Sequence, residues 1–178
     1  MTAALPLMTA RLTLHPFEPG DVPAFVQNII RDDAVWNEIS GGVVDDPEHE
    51  VAQLIAGWEG EPHPPLAVTR TADDVFMGYV ALLPVAGAEH ETELTIALGS
   101  PYRGKGYATE AAHKMLHVAF HQRRLAHIYG LMHPYNTHAK KLATRLNMSY
   151  EGVMRDFRYG EELAVYMLRR ATYISLHP

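Results

Sequence analysis

Short stretches in which apolar and polar residues alternate run through the chain, as is typical of β-strands. In the first of them, RLTLHPF, Leu12 and Leu14 share one face. The later stretches are LAVTR, VFMGYVALLPV, ETELTIALG, HIYGLM, SYEGVMRDFRY and LAVYMLRR. Turn-forming residues at 72–74, 87–88 and 160–161 join neighbouring stretches. The pattern therefore predicts an antiparallel meander in the middle of the chain and a hairpin near its end.

Between these stretches, apolar residues recur at the three- and four-residue spacing of amphipathic helices. One helix is predicted after Asp21 and a second after Asp46, since each aspartate can cap a helix with a proline in its first turn. A third helix runs from about Gly106 to Arg123, and a fourth covers NTHAKKLATRLN.

The predicted order of elements is β-α-α-β-β-β-α-β-α-β-β, without an internal repeat or a low-complexity linker. This order is that of an α/β protein with a mixed, mostly antiparallel sheet of about seven strands and about four flanking helices. A chain of 178 residues is long enough to bury one sizeable core. We therefore expect a single domain over residues 1–178.

Composition and charge exclude several classes of protein. Hydrophobic residues make up 47% and charged residues 20%, which is typical of a globular protein rather than a disordered one. The chain has no cysteine, which excludes a disulfide scaffold and a thiol nucleophile. No apolar run approaches the roughly 18 residues of a membrane helix, and the start lacks a signal-peptide pattern, so we expect a cytoplasmic protein. A net charge of −6 disfavours nucleic-acid binding.

The stretch SPYRGKGYATEAAHKM joins a predicted strand to the third predicted helix. The apolar and small residues of this helix fall on one broad face, which fits close packing against a sheet. They are Ala108, Ala111, Ala112, Met115, Leu116, Ala119 and Phe120. The same projection places His113, His117 and His121 on the opposite side, where we expect them to face solvent rather than to bind a metal.

The start of this helix has the properties of an anion site. Its first amide N–H groups lack helical acceptors, and the helix dipole adds partial positive charge there. Gly104 and Gly106 permit positive φ and keep side chains away, while Arg103 and Lys105 contribute full positive charges. The junction is therefore suited to a diphosphate. Glycines that only form the turn are the alternative, and neither common phosphate fingerprint, G-x-x-x-x-G-K-[ST] or G-x-G-x-x-G, is present.

The wider stretch PYRGKGYATEAAHKMLHVAF resembles the acetyl-CoA signature of the GNAT N-acetyltransferases, R/Q-x-x-G-x-G/A, with Arg103, Gly106 and Ala108 at its defining positions. The surrounding segments RLTLHPFEPGDV, ELTIALGSPYRGKGYATEA and MHPYNTHAKKLATRLNMSYEGVMRD are similar to the RimJ/RimL branch, which contains ribosomal-protein N-terminal acetyltransferases. The resemblance implies the GNAT fold, and acetyl-CoA as co-substrate without a metal.

The resemblance also implies which residues hold the cofactor. The strand before the signature splays from its neighbour in this family, so the backbone of Ile96, Ala97 and Leu98 would bond the pantetheine arm. The diphosphate would lie on the backbone of the signature loop, whose residues are Arg103, Gly104, Lys105, Gly106, Tyr107, Ala108 and Thr109. Asn136 matches the family asparagine, and it is equally suited to cap the next helix.

Two residues are predicted to act in catalysis. Glu93 matches a carboxylate common on this strand in the RimJ/RimL branch, and alternation places it on one polar face with Glu91 and Thr95. It would accept the proton of the substrate ammonium, or else belong to a solvated face. The Leu98 N–H would polarise the thioester carbonyl.

The proton donor of the family has no counterpart. The serine and tyrosine that other members carry three and seven residues after the asparagine are replaced by Ala139 and Ala143. Tyr135, His133, His138 or solvent remain as donors, and departure of the thiolate without a donor is the other alternative.

The predicted activity is acetyl transfer to a primary amine, of a protein N-terminus or of a small molecule, with an acyl-CoA-binding module of little catalysis as the alternative. No nucleic acid or membrane is expected as a partner, and a homodimer is compatible with the resemblance.

Overall fold

The computed structural model describes residues 5–39, 44–58, 63–85, 88–156 and 161–177. It contains one mixed sheet of eight strands with α-helices on both faces. The strands are β1 (Leu7–Met8), β2 (Leu12–Pro16), β3 (Leu66–Arg70), β4 (Val75–Val85), β5 (Ala88–Leu98), β6 (His127–Met132), β7 (Ser149–Asp156) and β8 (Glu161–Arg169). The described α-helices are α1 (Val22–Phe25), α2 (Asp33–Ile39), α3 (Pro47–Gly57), α4 (Tyr107–His117), α5 (Thr137–Arg145) and α6 (Arg170–Leu176).

The sheet has the strand order β1-β2-β3-β4-β5-β6-β8-β7, and every neighbouring pair is antiparallel except β5 and β6. The predicted α/β class with a mixed, mostly antiparallel sheet is therefore confirmed. The meander runs through β3, β4 and β5, and the final hairpin pairs β7 with β8. The predicted turns at Gly87 and Gly160 lie outside the described residues.

Two hydrophobic cores cover the two faces of the sheet. The larger one lies under α4, whose predicted apolar face is buried from Ala111 onward, with Ala108 half-buried at its start. This helix continues through a π-helical turn, Val118–Gln122, and so reaches close to its predicted end. The smaller core, on the other face, gathers residues of α1, α2 and α3 around Phe25 and Phe76.

Three elements were not predicted, which is why the sheet has eight strands rather than about seven and the described α-helices exceed four. They are β1, α2 and α6. All three are short, and α2 and α6 each bury only one residue, Val35 and Tyr173. A single buried residue gives no helical period that a sequence could display.

The parallel pair β5 and β6 opens into a cleft. Glu91, Thr92 and Glu93 pair with His127, Ile128 and Tyr129, and no pairing continues toward Leu98 and Met132. Because β4 pairs with β5 as far as Leu98, it is β6 that diverges. The end of β5 therefore presents backbone groups to the cleft that no neighbouring strand satisfies.

Candidate active site

The junction before α4 has the positive-φ backbone conformation that its glycines permit. Gly104 and Gly106 have φ of +74° and +83°, in the region that favours glycine. Gly106 caps α4 without a side-chain hydrogen bond, and the first intrahelical bond runs from the Glu110 N–H to the Gly106 carbonyl, at 3.0 Å. The amide N–H groups in the first turn of α4, before Glu110, therefore lack helical acceptors.

The segment between β1 and β2 holds this junction in place. The carboxylate of Glu110 accepts hydrogen bonds from the Thr9 hydroxyl at 2.6 Å and from the Arg11 N–H at 2.8 Å. The Arg11 guanidinium bonds Glu110 and the Lys105 carbonyl, and it lies 4.5 Å from the centre of the Tyr107 ring. Burial alone would raise the pKa of Glu110, but the hydrogen bonds from Thr9 and Arg11 lower it. Glu110 therefore stays ionised, and the start of α4 is rigidly positioned.

A cavity of about 300 Å³ lies between this junction and α5, and we call it the cofactor cavity. Its walls include the signature residues Arg103, Gly104, Gly106, Tyr107, Ala108 and Thr109, together with Ile96, Ala97 and Leu98 of β5. From α5, Lys141 and Arg145 also line it. Basic side chains thus face the open N–H groups from the other wall, as a polyanionic ligand requires.

Two basic residues of the signature already have protein partners. The Arg103 Nε donates to the Leu98 carbonyl at 3.0 Å, and its Nη2 lies 2.9 Å from the carboxylate of Glu38. The Lys105 ammonium donates to the Pro101 carbonyl at 2.8 Å. Arg103 therefore lines the cofactor cavity, and its guanidinium is shared with a carboxylate of the protein.

The β-ladder decides which backbone groups of β5 face the cleft. The Gly99 N–H donates to the Met77 carbonyl of β4 at 2.9 Å, so by antiparallel alternation Ala97 also bonds toward β4. Ala97 lies so close to β4 that a Cβ on Gly78 would come within 2.0 Å of its carbonyl oxygen. The backbone groups of Ile96 and Leu98 point the other way, into the cleft. Of the three predicted pantetheine contacts, these two have the required direction.

A second cavity, of about 430 Å³, adjoins the first, and we call it the acceptor cavity. Glu93 and Thr95 line it, with the Thr95 hydroxyl donating to the Glu93 carboxylate at 3.2 Å. Leu94 and Ile96 belong to the core on the other face of the sheet. The predicted alternation of β5 is thus confirmed for residues 93–96, although Leu94 and Ile96 also reach this cavity, and Glu93 is half-buried there rather than on an open face.

Tyr79 is a residue of this cavity that the sequence reasoning missed. It lies on β4 opposite Ala97, stacks on Phe25 with ring centres 5.7 Å apart, and lines the cavity together with Glu93. Burial, with a smaller contribution from the charge of Glu93, raises the pKa of Tyr79 to about 12. Its hydroxyl therefore remains protonated at physiological pH. The alternation of VFMGYVALLPV was the available signal, since it pairs this face of β4 with that of Glu93.

Asn136 has the capping role that the sequence allowed. Its side-chain oxygen accepts a hydrogen bond from the Ala139 N–H at 2.9 Å, and the residue is buried where the two cavities meet. Ala139 and Ala143 line the acceptor cavity with methyl groups and offer it no hydroxyl.

The three predicted proton donors differ in which cavity they line. His133 lines the acceptor cavity and stacks on Tyr135, with ring centres 5.0 Å apart. His138 lines only the cofactor cavity, and Tyr135 is 66% exposed. Of the three, His133 alone lines the cavity that also holds Glu93.

The histidine stripe of α4 lies outside both cavities. His117 and His121 are exposed, as predicted, whereas His113 is half-buried beside His177. Among the described residues, no group of three or more histidines and carboxylates is arranged to hold a metal ion, and no helix is both long and apolar enough to span a bilayer.

Comparisons with known proteins agree with this geometry. The family model described as an acetyltransferase (GNAT) domain matches residues 11–149. The chain is 26% identical to the uncharacterized N-acetyltransferase YnaD of Bacillus subtilis (strain 168) over 84% of its own length and 85% of that protein.

Two solved structures share the fold. An acetyltransferase (GNAT family) from Bacillus anthracis is 24% identical, with a TM-score of 0.82 over 93% of this chain and 98% of that one. A ribosomal-protein-S5-alanine acetyltransferase from Vibrio fischeri is 15% identical, with a TM-score of 0.74 over 92% of this chain and 96% of that one. The splayed strands, the glycine turn before α4 and the family match lead to one conclusion: the chain is an acyltransferase that belongs to the GNAT acetyltransferase family.

Proposed function

We propose that this protein transfers the acetyl group of acetyl-CoA directly to a primary amine. The observation that carries the proposal is that β5 borders both cavities, with backbone groups that no neighbouring strand pairs toward one and the Glu93 carboxylate toward the other. A direct transfer fits a chain without cysteine, which has no thiol to carry the acetyl group between two ligands.

The cofactor cavity fits a CoA diphosphate. Positive-φ glycines leave the first-turn N–H groups of α4 uncovered, and Arg103, Lys141 and Arg145 place positive charge around them. The cofactor would supply the acetyl group as a reactive thioester. Ile96 and Leu98 would bond its pantetheine arm, and the Leu98 N–H would stabilise negative charge on the thioester oxygen.

Glu93 acts as the general base in this proposal. An amine reaches the enzyme mostly as an ammonium ion, which must lose a proton before it can attack a carbonyl carbon. A carboxylate in a half-buried cavity attracts the ammonium and accepts its proton, directly or through water. Glu93 is such a carboxylate, and Thr95 helps to orient it.

The acceptor cavity offers two further polar groups. Tyr79 keeps its proton, so it can donate a hydrogen bond to Glu93 or to the acceptor without exchanging charge. His133 is suited to return a proton to the departing sulfur, because it lines the same cavity as Glu93 and an imidazole can act as a general acid. We assign Tyr79 a positioning role and His133 the donation of a proton to the departing sulfur.

We propose a protein N-terminal α-amine or a small-molecule amine as acceptor, in the cytoplasm. The Vibrio fischeri neighbour is named for a ribosomal-protein alanine, which makes peptides with an N-terminal alanine the first acceptors to try.

The test is an acceptor screen that follows free CoA release over peptides and small amines, using the wild type and Glu93→Gln. We expect release that depends on both acceptor and Glu93. Tight CoA binding without turnover on any amine would instead support the alternative, an acyl-CoA-binding module.

A further inference from the structure

Glu38 is a residue that nothing in the acetyltransferase signature includes, yet it borders both cavities. It lies near the end of α2, and its side chain is 19% exposed. Its carboxylate is 2.9 Å from the Arg103 Nη2 and 3.7 Å from the His138 Nδ1. A carboxylate therefore lies inside the cavity that we assign to an anionic cofactor.

The helix that carries Glu38 is attached to both walls of the cleft. Asp32, just before α2, accepts hydrogen bonds from the Ser100 N–H at 2.7 Å and from the Ser100 hydroxyl at 2.9 Å. On the opposite wall, the Tyr135 hydroxyl donates to the Asn37 carbonyl at 3.4 Å. These contacts hold Glu38 beside Arg103 rather than leaving it free in solvent.

The position of Arg103 is independent of Glu38. Its Nε donates to the Leu98 carbonyl, which keeps the guanidinium in the cofactor cavity whichever anion approaches its outer nitrogens. Glu38 and a diphosphate are both anions that bind a guanidinium through the same N–H groups. Two anions at one guanidinium repel each other, so each weakens the binding of the other.

We propose that the Glu38 carboxylate competes with the cofactor diphosphate for Arg103. This competition lowers the affinity for CoA and speeds the dissociation of CoA after acetyl transfer. The inference rests on the proposed function, since it takes CoA as the ligand. Release of product limits the turnover of many enzymes, so an anion that recaptures Arg103 is useful at that step.

The test measures CoA binding by calorimetry and CoA dissociation by stopped-flow displacement. Glu38→Gln removes the competing charge and keeps the shape of the side chain, so we expect CoA to bind about fivefold tighter and to leave correspondingly more slowly. The matched control is Glu48→Gln, because Glu48 on α3 pairs with Arg31 at the same 2.9 Å distance outside both cavities. This control should leave both quantities unchanged.

Two further comparisons assign the effect to the diphosphate. Pantetheine lacks the diphosphate, so its affinity should be equal in the wild type and in Glu38→Gln. In an Arg103→Met background, Glu38→Gln should no longer tighten CoA, since the group over which the two anions compete is gone. Glu38→Asp, which withdraws the carboxylate by one methylene group, should give an intermediate gain and serves if Glu38→Gln folds poorly.

The outcomes separate the two proposals. CoA affinity that is unchanged or weaker in the Glu38 variants, or a gain that pantetheine shows equally, overturns the competition while the acetyltransferase proposal stands. A wild type that binds no CoA overturns the proposed function and the competition with it.

Discussion

The two cavities that meet at β5 differ in charge and in whether they present backbone groups or side chains to a ligand. The cofactor cavity carries Arg103, Lys141 and Arg145, whereas the acceptor cavity carries the Glu93 carboxylate and the neutral hydroxyl of Tyr79. A chain of net charge −6 thus gathers positive charge where an anion is expected and places a carboxylate where an ammonium is expected. The two cavities along this strand therefore differ in charge, although the carboxylate of Glu38 borders both.

The difference extends to the backbone. The cofactor cavity presents main-chain N–H groups, which depend on glycine dihedrals and on the divergence of β6. The acceptor cavity presents side chains on a strand that is otherwise regular. Substitutions should therefore affect CoA affinity at the first cavity and turnover at the second.

The largest expected effect comes from Gly106→Asp. A carboxylate at the start of α4 would repel the diphosphate, and a Cβ at φ of +83° is strained and comes 3.4 Å from the Arg11 Nη2. We expect calorimetry to show a loss of CoA affinity of about 100-fold or more. Gly106→Ala, which shares the strain without the charge, is the control and should lose far less. Equal affinities for wild type and Gly106→Asp would place the anion site elsewhere.

Glu93→Gln should give the next largest effect, and on turnover alone. Loss of a general base lowers kcat by about 100-fold, while the Kd of CoA stays constant. The deficit should shrink as the pH approaches the pKa of the acceptor amine, because the amine then arrives without its proton. Rates measured from pH 6 to 10 test this, and a deficit that does not vary with pH would remove Glu93 from proton transfer.

Tyr79→Phe should lower kcat by about tenfold, through a hydrogen bond that no longer positions Glu93 or the acceptor. Folding raises the pKa of Tyr79 from 10.0 to about 12, so its neutral form stabilises the fold, and this stability is lost as the pH rises from 10 towards 12. Urea denaturation at pH 9 and 11 should show a smaller alkaline loss for Tyr79→Phe. The same alkaline loss in both proteins would contradict the assignment.

The smallest expected effect concerns the contact that joins α2 to the signature. Burial alone would raise the pKa of Asp32, but the hydrogen bonds from Ser100 and the charge of Arg103 lower it from 3.8. The ionised carboxylate therefore stabilises the fold above that pH, and the contribution disappears as the pH falls below it. Asp32→Asn should lower Tm at pH 7 by about 3 °C. A Tm difference that persists undiminished at pH 3 would show that the charge of Asp32 is not responsible.

Local patterns predicted much of the sheet, and long-range contacts explain what they missed. The strands at 66–70, 75–85 and 127–132 have the predicted bounds. In the last of them, buried and half-buried residues alternate as the sequence pattern predicts. Helix α2 has no such pattern, and it is held by Asp32 and Glu38, whose partners lie more than sixty residues away.

The same distinction applies to the site. Gly106, Glu93 and Asn136 are recognisable from local motifs, and the structure brings all three to adjoining cavities. Tyr79 and Glu38 reach those cavities only through pairing and helix packing. Whether a signature arginine is free or shared with a carboxylate is likewise a property of the folded chain.

The most direct test of the central claim is the electron density of a crystal grown with acetyl-CoA. The account predicts a diphosphate within hydrogen-bonding distance of the amides between Gly104 and Thr109, and a pantetheine arm running along Ile96 and Leu98. A cofactor bound away from that turn, or no bound cofactor at saturating concentration, would contradict it.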